Sequence, residues 1–396
     1  ATAGTSNFRA GVNAGNSIQS GGNFNVTVGD EAGTALTTAD KSTAVGYGAL
    51  AAATTAGNNT AVGANALAAT TGQANTGVGE GALESNVAGT FNVAIGANSL
   101  DADTTGSKSV AVGYASLSTQ NFTTATDGFN VAMGYEAGTA ITTGVQNTLI
   151  GGLAGTSLTT PNQNVAVGHG ALDAETTGAR NTAIGTNALT SQNDTTGSNI
   201  YNVGLGYFAG ANITSGISNT LLGSLAGDAL TDADSNIAIG INSLTTDTLG
   251  SRSVAIGQDA LASQNFTTAT FSLNVAVGYG AGGAVTTGRR NTLIGAQAGD
   301  VITDADNNVA VGTDALGTNQ LGSQNVAIGR LALGTMNPAT ATNTYNTAVG
   351  ADAGFAITTG VHNTLIGGLA GDALTTAGNN VAIGYQAHST DDLGSR

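Results

Sequence analysis

The chain has no cysteine and no tryptophan, only two prolines, and charge on just 9 % of its 396 residues. Without thiols there are no disulfides, no cysteine zinc sites and no thiol catalysis, and the compartment stays open. Ordinary globular domains carry about 25 % charged residues, so this surface is made of something else. Cations are the scarcest: nine Lys and Arg stand against 25 Asp and Glu, a formal net charge of −16. That field repels phosphate backbones and anionic membrane surfaces, so neither nucleic acid nor a membrane is an expected partner. No apolar run nears the roughly 18 residues a membrane helix needs. The chain is expected to be soluble as it stands, and a processed or excised piece of something longer.

What is abundant is glycine, with 61 residues, and much of it is periodic. In "NTLIGGLAGDALTTAGNNVAIG" (363–384) an Asn and an apolar tetrad ending in Gly367 return to end in Gly384. Between Gly29 and Gly384 the tetrad occurs 21 times. The spacing is 17 except for 16 between Gly63 and Gly79, and 21 before Gly134, Gly206, Gly278 and Gly350. Those four exceptions recur at a constant interval of their own, so four coils make one cassette; Leu149, Leu221, Leu293 and Leu365 share that period. A degenerate copy, Asn7 to Gly11, precedes Gly29 by 18. One repetitive domain over 1–396 is expected, irregular in 1–24 and regular in 25–396.

A repeat this short cannot hold a helical hairpin, and glycine costs about 1 kcal/mol at each interior helical position. The tetrads are short and mostly β-branched at their first and third positions, and turn-like stretches follow them. The pattern predicts an all-β fold, a parallel β-solenoid or β-roll of about 22 coils. Stacking at about 4.8 Å per coil gives a rod near 100 Å long. The tetrad's first and third residues are Val, Ile, Thr, Leu or Met; the second is Ala, Gly or Leu in all but Thr27. Neither face carries charge, which predicts a strand buried on both sides. The coil has one interior, so the Ala/Leu side is expected to meet another chain, with a trimer about an axis preferred. After the tetrad, either Ala or Ser then Leu follows, as at Ala171-Leu172, or Ala-Gly with an apolar residue three later, as Gly227 with Leu230. Each coil thereby keeps one bulky group for its second wall. Asn opens 18 of the 21 copies, with Ser42, Ser109 and Ser253 opening the rest, which predicts an amide ladder. The Gly after it is expected to supply a positive φ.

The units "NTAVGANALAATTGQANTGVG" and "NVAVGHGALDAETTGARNTAIG" resemble the Asn-Thr-Ala-Ile-Gly repeats of phage tail-fibre and bacterial surface proteins. More distantly they are similar to the head repeats of trimeric autotransporter adhesins of the YadA type, matched best at Ser109–Gly113 and Ser253–Gly257. The resemblance spans nearly the whole chain and implies left-handed, homotrimeric β-rolls at a cell or virion surface. The adhesin heads use shorter coils, and no coiled-coil stalk, membrane anchor or trimerising chaperone segment is visible in this sequence.

Chemistry is harder to find. His169, His362 and His388 stand at unrelated phases of the repeat, so they predict neither zinc nor a triad. Asp228, Asp232 and Asp234, and again Asp300, Asp304 and Asp306, alternate along turns as calcium ligands do, although a solvated turn is the simpler reading, since the cognate turn Thr375-Thr376-Ala377-Gly378 lacks the carboxylates. Thr pairs such as Thr142-Thr143 do not recur on every coil, against an ice-binding lattice. Aromatics gather at or just beyond the long turns: Phe122, Phe129 and Tyr135; Tyr201, Tyr207 and Phe208; Phe266, Phe271 and Tyr279; then Tyr345. They would either bind a glycan or protein receptor or seal the coil edge and the interface between chains.

The expectation is a fibre segment without catalysis, a rigid shaft or adhesive head that is extracellular, on a cell surface or on a virion. A carbohydrate-binding or carbohydrate-processing β-helix is one alternative, though the acids are scattered. A filament subunit stacking head to tail is another, since Asp392 to Arg396 shows no polar capping turn.

Overall fold

The computed structural model describes residues 4–390. These are all-β without a helix, a parallel β-solenoid of about 22 turns. Two compact units are distinguished, Ala1–Tyr201 and Asn202–Arg396. In the first, eleven wall strands run from Phe8–Ala10 to Thr182–Ile184; in the second, eleven run from Val203–Leu205 to Val381–Ile383. The degenerate first copy does form a turn, with Phe8, Arg9 and Ala10 opposite Val26, Thr27 and Val28. The closing segment on which an uncapped end was read lies outside the described residues.

Within each unit the regular spacing sets tetrad against tetrad in register. Thr43, Ala44 and Val45 lie opposite Thr60, Ala61 and Val62, and the one shortened coil keeps the same pairing at Thr76, Gly77 and Val78. The tetrad glycine ends each strand for two reasons. Gly113 has φ +131°, and a Cβ there would lie 2.3 Å from the carbonyl oxygen of Gly134 on the next coil. The long turns add a second, shorter wall. Gly106–Ser107 pairs with Thr126–Asp127 in the first unit, and Gly250–Ser251 with Thr270–Phe271 in the second.

One expectation is reversed. The Ala/Leu face of the strand, predicted to meet another chain, is the interior of the coil: Ala44, Ala61, Ala94 and Leu149 are fully buried. The first and third tetrad residues point outward, and Ile95 and Met133 are 41 % and 43 % exposed. The cause is the narrowness of the coil. A Cβ at Gly77, in the Ala position, would lie 3.0 Å from the Ala82 carbonyl oxygen and 3.2 Å from Leu67 Cγ. Opposite walls so close leave room for Ala on the strand when the facing turn carries Leu, and β-branched bulk must face out.

The exceptions follow the same size rule. Leu149 fits inside because both neighbouring turns carry glycine where Leu67 stands. A Cβ at Gly138 would approach Leu149 Cδ1 to 2.7 Å, and one at Gly155 would approach Leu149 Cδ2 to 2.9 Å. Ile141 and Leu158, three residues beyond those glycines, are fully buried and supply the second wall. The compensation read from the sequence is therefore a real exchange of volume across a coil packed at interior density.

The Asn ladder also forms, with different chemistry from stacked amides. Asn75 Oδ1 accepts from the Asn92 backbone N–H at 2.9 Å, and Asn92 Oδ1 accepts from Ser109 N–H at 2.9 Å. The Asn92 Nδ2 donates to the Gly106 carbonyl at 2.8 Å. Each amide thus satisfies two backbone groups that the corner between turn and strand buries away from water. Amide-to-amide bonds are added in places, as from Asn147 Nδ2 to Asn130 Oδ1 at 3.2 Å.

Candidate functional site

The fold sorts the ten candidate aromatics into distinct columns. Phe129, Tyr201 and Tyr345 each stand one residue before a ladder Asn, in left-handed backbone (φ 47°, 57° and 51°), and are about half exposed. Tyr135, Tyr207 and Tyr279 each follow a tetrad glycine on the other flank of the strand and are more exposed still. Tyr135 stacks on Tyr114 of the preceding coil at 5.5 Å, and Phe208 meets Tyr207 edge to face at 4.4 Å. Phe271 lies exposed beneath the Arg252 guanidinium, 3.9 Å from its ring centre. Phe122 and Phe266 are buried in their own chain. Phe122 fills the space beside Gly106 and Gly128, where added Cβ atoms would lie 2.6 and 3.2 Å from its ring.

The column before the ladder Asn holds more than the sequence reading found. Phe24, Phe91, Lys41, Lys108 and Arg180 occupy it in the first unit, and Arg252 and Arg290 in the second, all exposed. Lys108 Nζ lies 5.2 Å from the Phe129 ring centre and 2.6 Å from Asp127. Arg180 lies 5.6 Å from the Tyr201 ring centre and donates from Nη1 to its hydroxyl at 2.6 Å. Tyr345 stacks on His362 at 5.6 Å. Five of the nine cations in the chain hold this position in their coils, three in the first unit and two in the second. The signal was legible in the spacing: each stands one residue before an Asn or Ser that opens a tetrad.

The turn aspartates do not converge. Asp232 Oδ1 accepts from the hydroxyls of Ser215 (2.6 Å) and Thr214 (2.9 Å), which lower its pKa. Asp304 does the same with Thr286 and Thr287. Asp234 and Asp306 accept from the Ile217 and Arg289 N–H groups, and Asp228 accepts from the Thr245 hydroxyl. Among the described residues no three acidic or histidine side chains gather as a metal site requires.

A different set of carboxylates is deeply buried, under the long turns and their neighbours. Asp103 Oδ1 accepts from the N–H of Gly106 (2.9 Å) and of Phe122 (3.3 Å), and Oδ2 accepts from Gln120 Nε2 (2.6 Å). Gln120 Oε1 then accepts from the ladder residue Asn130 at 2.8 Å. Asp247, Gln264 and Asn274 repeat the network two cassettes on, and Glu175 with Gln192 forms its middle copy. Burial raises the Asp103 pKa, against the hydrogen bonds it accepts. These groups are sealed inside the coil and reach no solvent, so the chemistry they perform is structural.

No family model matches the chain, and no curated protein matches it.

Proposed function

We propose that the chain is a structural fibre segment, a rigid shaft or adhesive head that works outside the cell or on a virion and performs no catalysis. The observation that carries this reading is the register of the wall. Coil after coil within each unit, three strand residues meet their counterparts without a slip, and the Asn ladder seals the adjoining corner. Such a scaffold stacks like repeats whose only neighbours are one another, the architecture of a stiff spacer. The buried acids accept bonds from their own backbone, and the turn acids each answer a separate partner, which supports a role without hydrolysis. In this reading copies of the chain assemble with one another, as a homotrimer or as a filament.

The exposed rings favour the adhesive version, because aromatic faces among amides and hydroxyls suit the faces of sugars or a protein receptor. Electron microscopy of the purified chain tests the proposal. Stiff particles of uniform length support a segment, indefinite filaments support head-to-tail stacking, and compact globules overturn both. Binding to host-surface glycans that Phe129→Ala and Tyr201→Ala abolish, with the fold intact, would support the adhesive head; glycans cleaved on incubation would overturn the non-catalytic reading.

A further inference from the structure

The outward strand face is bordered by opposite charges. In the first unit Lys41, Lys108 and Arg180 line the edge where the chain enters the strand. Glu31, Glu80 and Glu136 line the edge where it leaves, one or two residues after the tetrad glycine. Between them lie Thr, Val, Ile and Met side chains with no charge at all, partly exposed. Lys108 is already held by Asp127 on its own edge at 2.6 Å, whereas among the described residues neither Lys41 nor Arg180 forms an ion pair, although the chain holds 25 acids to nine cations. The second unit repeats the order, with Arg252 and Arg290 on the entry edge and Asp259 and Asp314 on the exit edge. Arg330, the cation on that exit edge, is already held by Asp352 at 2.7 Å.

We infer that this face docks a second copy of the same chain side by side, with the two coil axes parallel. The inference rests on the proposed homo-oligomer and assigns its surface and sense. Turning one copy about an axis parallel to the coils brings the entry edge of one against the exit edge of the other, so cation meets acid along both borders. Turning it end over end sets cation against cation and acid against acid. A closed rotation of this kind is satisfied by a pair or by a ring of three. Eleven strands at about 4.8 Å spacing and a width of about 15 Å with the two edges give roughly 800 Å² per copy from one unit alone. That matches the standard size of a specific interface, and its apolar centre with a charged rim is the usual anatomy.

The test uses the whole chain, whose lack of cysteine allows single probes. Val62→Cys and Met133→Cys both place a thiol on the outward face of the first unit, four coils apart. Under mild oxidation the parallel arrangement yields 62–62 and 133–133 disulfides from mixed samples; 62–133 linkage overturns it. Lys41→Glu/Lys108→Glu/Arg180→Glu and Glu31→Lys/Glu80→Lys/Glu136→Lys should each weaken self-association at least tenfold by sedimentation, with an unchanged far-ultraviolet spectrum. Mixing the two sets restores complementary edges at both borders of a pair and at two of the three junctions of a ring of three, so association should recover fully or in part; mixing with no recovery overturns the charge pairing. A folded monomer at tens of micromolar removes the interface while leaving the non-catalytic scaffold standing. Loss of the β spectrum in the parent chain would instead sink the scaffold itself.

Discussion

Exchange of volume between Leu149 and its flanking glycines can be measured as a coupling. Leu149→Ala opens a hole that Gly138 and Gly155 cannot fill, having no side chains, so the cost falls high in the usual range, about 4 kcal/mol. Gly155→Ala has two penalties. Its φ of +57° costs a side chain about 1 kcal/mol. The new Cβ, 2.7 Å from Leu158 Cδ1 and 2.9 Å from Leu149 Cδ2, overpacks the coil by about 2 kcal/mol more. Added independently, the two changes cost about 7 kcal/mol. In the double variant the methyl group enters the space that Leu149 vacates, so about 5 is expected and the coupling is about 2 kcal/mol. Because stacked coils open locally, the assay is native-state hydrogen exchange across residues 148–167, with the homologous, unaltered 292–311 as internal reference. The double variant should exchange about 30-fold more slowly than additivity predicts. Additive effects, or a Leu149→Ala cost below about 1 kcal/mol, would refute the claim that this leucine is held inside the coil.

Three further outcomes follow from the same geometry. Ala111 is buried between coils whose turns carry Leu100 and Leu117, so Ala111→Leu should destabilise by about 2 kcal/mol. Outward-facing Val112→Leu should stay within about 0.5 kcal/mol in the same denaturation assay. Asn92→Ala strips partners from the buried Ser109 N–H and Gly106 carbonyl, a loss of about 3 kcal/mol that should appear as fast exchange at the Ser109 amide. Burial sets the folded pKa of Asp103 above its unfolded value, so the fold favours the protonated acid. The stabilisation is complete below the unfolded value of 3.8 and is lost as pH rises through the raised folded pKa. Exchange at the Gly106 and Phe122 amides, corrected for intrinsic rates, should therefore quicken over that window. Asp103→Asn with Gln120→Met, which copies Asn319 and Met336 of the last cassette, should flatten the profile.

The period, the strands, the turn glycines and the Leu-for-Gly exchange were legible because each depends on spacing within one coil. Which face of the strand lies inside was not, because both faces lack charge and the usual rule puts the larger residue in the core. Here the rule fails for a geometric reason. A wall of three residues faces another wall close enough that the Gly77 position tolerates little more than a methyl group. Val and Ile stay outside, where their branched side chains still favour the strand. The cation column was missed for another reason. Lys108, Arg180 and Arg252 recur once per cassette, just before the counted unit, and only the coil shows that Phe129, Tyr201 and Phe271 lie beside them.

The four-coil cassette itself follows from two incompatible ways of filling a narrow interior. From Gly134 to Gly168 two coils carry glycine at 138 and 155, and Leu149, Ile141 and Leu158 fill them with hydrocarbon. The next two carry Leu172 and Leu189 instead, which leaves room behind them for a polar pair, Glu175 and Gln192. A buried carboxylate needs donors, and one coil supplies too few. It takes the N–H groups of its own turn, the glutamine amide of the next coil, and the N–H two residues beyond that glutamine, here Asp194 and elsewhere Phe122 or Phe266. That last bond anchors the chain where it departs into the four extra residues. The polar pair therefore requires two consecutive coils, the leucine with its two glycines requires another two, and a long turn follows each of the three polar pairs and also Asn319 and Met336, which stand in their place in the last cassette. Four coils are the smallest unit that contains both solutions.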